Sequence, residues 1–169
     1  MLDMIEGKML EIEKRIVIEP ESVVWNQKVK EWCGLPYYDK KNGCPNFNKR
    51  KGCPMDNKNI DEILDVNKKT YIVGVVFNLK EYRDEMKKKH SNWTYRQLNN
   101  VIYWQGSIFG KMKREVNKFS LMNPGLKIVY KPEAYGVNLT KMLLNSGVPI
   151  NWKYPLRKIY IVALLGGKI

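Results

Sequence analysis

The chain has 169 residues, 44% of them hydrophobic and 28% charged, which suits one folded domain large enough to bury a core. Its longest apolar runs, Tyr71–Phe77 and Ile159–Leu165, are too short to cross a bilayer, and its first residues do not read as a signal peptide, so no membrane partner and a cytoplasmic, reducing location are expected. The net charge of +13 points to an anionic partner such as RNA, DNA or a phosphorylated substrate, or to a lysine-rich solvated surface.

The charge is unevenly spread. Residues 39–58 hold six basic against two acidic side chains, 79–118 ten against four, and 127–168 seven against one. Residues 1–38 are slightly acidic, with five basic against seven acidic.

In chain order, Leu2, Ile5, Met9 and Ile12 recur at helical spacing and predict a helix from Met1 to Arg15. Ile16-Val17-Ile18 is a short strand-like run stopped by Pro20. Ser22–Trp32 fits either a helix capped by Ser22 or a strand through Val23-Val24-Trp25. The segment 33–55, rich in Gly, Pro, Asn and Lys, reads as an irregular loop that something must tie down.

Asn59 opens a short helix with Asp61 and Glu62 in its first turn. Thr70–Phe77, TYIVGVVF, is the clearest buried strand, and Leu79–Lys89 a charged helix. The longest helix is expected from Ser91 or Thr94 to Phe119, with Leu98, Ile102, Phe109, Met112, Val116 and Phe119 in one stripe. Asn123-Pro124-Gly125 ends it. Lys127–Lys131 is a strand, Asn138–Asn145 a helix closed by Gly147, and Arg157–Leu165 the last strand. Alternating strands and helices predict an α/β fold over 1–169. The expected architecture is a single compact domain with a small mixed or parallel sheet flanked by helices, plus the irregular cysteine-containing loop.

All three cysteines, Cys33, Cys44 and Cys53, fall in that loop, two of them in a Gly-Cys-Pro frame. Thiolates are the soft ligands that zinc and iron–sulfur clusters require, so the three are candidate metal ligands. Ten residues separate the first pair and eight the second, which is neither a zinc knuckle nor a ferredoxin run. Three thiolates leave a tetrahedral site one ligand short. A [4Fe–4S] cluster would keep one iron open, and zinc would take water or His90; three reduced thiols packing as small apolar groups is the alternative without metal. Reading Cys44 or Cys53 as a nucleophile activated by nearby Lys and Arg lacks an adjacent histidine.

Glu133 lies in a strand-to-helix turn, where α/β folds place binding groups; Gly136 permits the turn and Asn138 caps the next helix. These three are candidates for ligand or substrate binding, or else parts of a structural turn. A second class of function is nucleic-acid binding by Lys40, Lys41, Lys49, Arg50 and Lys51 in the loop with Lys113 and Arg114 on a helix, Tyr37, Tyr38 and Phe47 stacking on bases. No reaction follows from any of these residues.

Two stretches, VKEWCGLPYYDKKNGCPNFNKRKGCP and KPEAYGVNLTKMLLNSGVPINW, together resemble an uncharacterised family of archaea and anaerobic bacteria known only as predicted metal-binding proteins. On that resemblance Cys33, Cys44 and Cys53 fall on the family's early cysteines, and Pro132, Glu133, Ala134, Gly136 and Val137 on its later motif. The family usually carries a second cysteine group ahead of that motif; here Phe119–Gly125 holds no thiol. The resemblance therefore implies a reduced three-cysteine site, or one that has lost its metal.

Overall fold

The computed structural model describes residues 13–37, 40–153 and 155–169. Its architecture is α/β. Four strands, β1 (Glu13–Ile18), β2 (Thr70–Asn78), β3 (Leu126–Tyr130) and β4 (Lys158–Gly167), form one open sheet in the order β1-β2-β4-β3. Four α-helices accompany them among the described residues: α1 (Leu79–Lys89), α2 (Tyr95–Leu98), α3 (Gln105–Met122) and α4 (Leu139–Asn145). No described helix is long and apolar enough to cross a membrane.

The sheet is antiparallel, and its topology explains why alternating strands and helices yield no parallel pair. β3 pairs β4 antiparallel, from Leu126 opposite Gly167 to Tyr130 opposite Ala163. Gly74 lies against Ile161 and Val162, and the Lys80 N–H donates to the Arg157 carbonyl at 3.1 Å, so β2 and β4 also run oppositely. β2 and β3 thus point the same way, as a strand–helix–strand crossover requires, but β4 inserts between them. The inner strands carry the apolar residues: Ile72, Val73, Val75 and Phe77 on β2 and Val162–Leu165 on β4 are buried.

By packing the chain divides into two compact units, Met1–Val17 with Val73–Met122 and Asn151–Val162, and Ile18–Ile72 with Asn123–Ile150 and Ala163–Ile169. In the first, β2 leads directly into α1, where the Asn78 side chain accepts the Glu81 N–H at 3.3 Å as an N-cap. Phe77 packs on Trp104 and Tyr82, with ring centroids 5.0 and 5.5 Å away. The apolar face of α3 buries Ile108, Met112, Val116 and Phe119.

Several expectations change in physical detail. The predicted helix 1–15 lies mostly outside the described residues, and Glu13–Arg15 belong to β1. They are held there by α3: Lys111 pairs with Glu13, and Arg15 with Glu115 at 3.3 Å. The expected long helix is broken into α2, a 3₁₀ turn at Val101–Tyr103, and α3. The break follows from Asn99-Asn100, because the Asn100 side chain accepts the Ile102 N–H at 3.1 Å and starts a new turn. Ile102, assigned to the apolar stripe, is instead exposed.

Candidate metal centre

The cysteine loop belongs to the second unit, and short-range hydrogen bonds build it. Ser22–Trp32 resolves as neither α-helix nor strand. Trp25 makes an isolated antiparallel bridge to Val137, and a 3₁₀ helix spans Gln27–Gly34. Asn26 caps it, its side chain accepting the Lys28 N–H at 2.8 Å. Cys33 thus sits in the last turn of a 3₁₀ helix rather than in irregular chain. Residues three apart eclipse in this helix, so Lys30 and Cys33 share a face. Lys30 is 3% exposed, and its ammonium donates to the Asn57 carbonyl at 2.6 Å.

Cys44 is drawn to Cys33 through the backbone, its N–H donating to the Cys33 carbonyl at 2.7 Å. Gly43 permits the approach: its φ is +71°, and a Cβ there would stand 2.6 Å from both the Cys33 oxygen and the Gly34 carbonyl carbon. Phe47 closes over Gly34 and is committed to that packing. Cys53 is buried; its thiol donates to the Asn46 carbonyl at 3.0 Å and accepts the Arg50 N–H at 3.4 Å. A second 3₁₀ turn, Pro54–Asp56, follows at once.

The opposite wall comes from the Pro-Glu-Ala turn. Lys131 is left-handed at φ 50° immediately before a proline, where neither its Cβ nor the Pro132 ring favours that conformation. Such a residue stores on the order of 1–3 kcal/mol of strain. Pro132–Tyr135 is a 3₁₀ turn, and Gly136 lies so close to residue 26 that a Cβ would stand 3.1 Å from the Asn26 oxygen. The Asn26 N–H donates to the Gly136 carbonyl and the Asn138 N–H to the Val24 carbonyl, both at 2.8 Å. The Asn138 side chain caps α4, accepting the Lys141 N–H at 2.9 Å. Gly136 and Asn138 therefore serve the turn, and Glu133 is the member of the motif with a side chain to offer.

Asn57 joins the two walls. Its side-chain amide donates to the Gly52 carbonyl and to the Ala134 carbonyl, each at 3.3 Å, while its own carbonyl takes the Lys30 ammonium. Sequence reasoning missed both Lys30 and Asn57. Their signal, a lysine three residues before Cys33 and an asparagine just beyond Cys53-Pro54, becomes legible only once 27–34 is known to be 3₁₀.

Two of these groups, Cys33 and Glu133, are perturbed by their surroundings. The Cys33 thiol is pushed up, first by partial burial and then by the negative potential of Cys44, Cys53 and Glu133. Burial pushes the Glu133 carboxyl up, opposed by a hydrogen bond from its own backbone and by Lys131. Residue 133 as a whole is exposed, so the upward push reflects local crowding of its carboxyl by protein. Among the described residues, no three His, Cys, Asp or Glu side chains stand close enough to hold a metal ion. His90, the alternative fourth ligand, stacks on Trp93 at 4.4 Å and belongs to the first unit.

This environment predicts a pH-dependent effect of Glu133→Gln. A raised carboxyl favours folding while protonated and costs stability once ionised, so the cost appears as pH rises above the unfolded value of about 4.3. Chelator-treated Glu133→Gln protein should match wild type near pH 4 and exceed it at pH 7 in urea unfolding. A difference independent of pH would show that the carboxyl is not desolvated.

The basic candidates Lys40, Lys41, Lys49, Arg50 and Lys51 are all exposed on the loop, around the exposed apolar side chains Trp32, Leu35, Tyr37 and Met55. Tyr38 lies outside the described residues. Lys113 and Arg114 are exposed on α3 in the first unit, with the Lys113 ammonium 5.0 Å from the centre of the Phe109 ring. No protein-family model, curated protein or solved structure matches the chain.

Proposed function

We propose that this chain is a metal-binding protein in which Cys33, Cys44 and Cys53 hold an iron–sulfur cluster and Glu133 stands at the coordination position that three thiolates leave open. One observation carries the reading: the Cys44 N–H reaches the Cys33 carbonyl, and Asn57 ties Gly52, beside Cys53, to Ala134, beside Glu133, so one set of hydrogen bonds holds the three cysteine segments and the Glu133 turn together. A single zinc ion needs its donors about 2.0–2.3 Å from the metal, which brings neighbouring sulfurs almost into contact. The same donors suit a cluster or a zinc thiolate site, and the iron, zinc and sulfide content of the protein distinguishes the two.

The surroundings fit a thiolate-rich centre. The buried Lys30 ammonium, on the Cys33 face of its turn, supplies counter-charge. The Arg50 N–H and the Asn46 carbonyl fix the orientation of the Cys53 sulfur. A bound cluster would supply electron transfer, or a Lewis-acidic iron facing Glu133.

Anaerobically prepared wild type should carry iron and acid-labile sulfide in near-stoichiometric amounts with broad visible absorption. Cys44→Ser should lose most of both. Stoichiometric zinc without sulfide would overturn the cluster in favour of a zinc thiolate site. Colourless protein with neither metal would overturn the proposal altogether.

A further inference from the structure

The first unit carries a feature that the proposed metal centre does not use. At the C-terminal end of α1, His90, Trp93 and Tyr103 form a continuous ladder of rings. His90 lies on Trp93 at 4.4 Å with planes 10° apart, and Trp93 on Tyr103 at 4.9 Å with planes 30° apart. The ladder is held from behind: the Lys87 ammonium donates to the carbonyls of Ser91 at 2.8 Å and Trp93 at 3.0 Å. Arg83 donates to the Asn99 side chain at 3.1 Å, tying α1 to the segment that delivers Tyr103. Trp93 is the inner ring, and the ladder ends on two exposed rings, with Tyr103 51% exposed. Ile102 beside it is 76% exposed.

The sequence that carries the ladder is basic. From Lys87 to Arg114 the sequence contains Lys87, Lys88, Lys89, Arg96, Lys111, Lys113 and Arg114 and not one Asp or Glu. Lys111 is paired with Glu13, whereas Lys88 and Lys89 are exposed at the end of α1 next to His90. Exposed ring faces with Lys88 and Lys89 beside them match a polyanion whose bases are unstacked, although Asp84, which feels Lys88, and Glu85 lie one turn back along α1. A duplex keeps its bases inside and cannot offer them to these rings.

We infer that the His90–Trp93–Tyr103 ladder is a stacking platform for single-stranded nucleic acid, with Lys88 and Lys89 contacting the phosphates. Bases extend the ladder at its two outer rings. Sequence preference is low, because every base has a π-face. The site is distinct from the loop cluster Lys40–Lys51 and does not depend on metal.

The test titrates fluorescently labelled oligo(U) and oligo(dT), and a blunt duplex of equal length, into the full chain at low and moderate salt. Single strands should bind more tightly than the duplex, with affinity falling steeply as salt rises. Tyr103→Ala and His90→Ala should each weaken single-strand binding by about 5- to 100-fold, while Tyr103→Phe keeps wild-type affinity. Lys88→Gln with Lys89→Gln should reduce the salt slope by about 1–2. Circular dichroism of each variant separates loss of binding from loss of fold, and Tyr103→Phe preserves the test if the alanine variants misfold. Absent binding at low salt, equal affinity for duplex, or Tyr103→Ala binding like wild type while Lys49→Gln/Arg50→Gln abolishes binding would each overturn the inference. Preference for oligo(U) over oligo(dT) would identify RNA as the source of the strand; equal affinity supports the platform without that distinction.

Discussion

Gly74→Ala should destabilise the protein by ~3 kcal/mol or more, and lower its melting temperature by about 6–12 °C, if it folds at all. Gly74 lies in the middle of β2 among fully buried neighbours. A Cβ there would stand 2.2 Å from the Ile161 carbonyl oxygen and 2.7 Å from the Val162 Cα. Both obstacles are backbone of the adjacent strand, so no rotamer change relieves them. β4 must move away, and its hydrogen bonds to β2 lengthen as it does. Thermal unfolding followed by far-ultraviolet circular dichroism measures the effect. A shift below about 2 °C would mean that the two strands are not packed so closely.

Gly43→Ala should cost ~2–4 kcal/mol and, on the proposed reading, lower the metal content of the cysteine loop. Two penalties combine there: left-handed backbone at φ +71° and overlap with the Cys33–Gly34 backbone at 2.6 Å. The turn that lets the Cys44 N–H reach the Cys33 carbonyl cannot form around that Cβ. The proper control is Gly52→Ala. Its φ of +87° is equally left-handed, but nothing lies within 4 Å of the added carbon, so it should cost only ~1 kcal/mol. Metal content and denaturant midpoints of the two variants, measured side by side, decide the matter. Equal losses would mean that close approach of the Cys33 backbone is not what Gly43 provides.

Much of the fold was readable where one local signal dominated. TYIVGVVF became β2 because its apolar, β-branched run belongs in a buried strand. α1 starts at Leu79 because Asn78 caps it, and Asn138 caps α4 in the same way. Features that depend on distant partners were not readable. Glu13 and Arg15 look helical until Lys111 and Glu115 hold them beside α3. The stripe from Leu98 to Phe119 looks continuous until the Asn100 side chain takes a backbone N–H and turns Ile102 outwards. Antiparallel pairing could not be inferred from alternation alone, because the crossover from β2 to β3 is compatible with a strand placed between them.

The candidate site divides along the same line. The loop that carries the three cysteines and the turn that carries Glu133 could both be located in the sequence. That Lys30 is buried with its ammonium on the Asn57 carbonyl, and that Asn57 binds both walls, rests on hydrogen bonds between residues 27 and 77 positions apart. Such pairings leave no periodicity in a sequence.

The span of the Asn57–Ala134 bond also orders events during synthesis. Cys33, Cys44 and Cys53 leave the ribosome long before residue 134 does, and closing a loop of 77 residues is slow beside the formation of local turns. The turns around Gly43 and Arg50 can form early, but the Glu133 wall arrives only after α3 and β3 have been made. A nascent chain therefore completes the local turns of the cysteine loop first, and the bond that ties this loop to the Pro-Glu-Ala turn forms last.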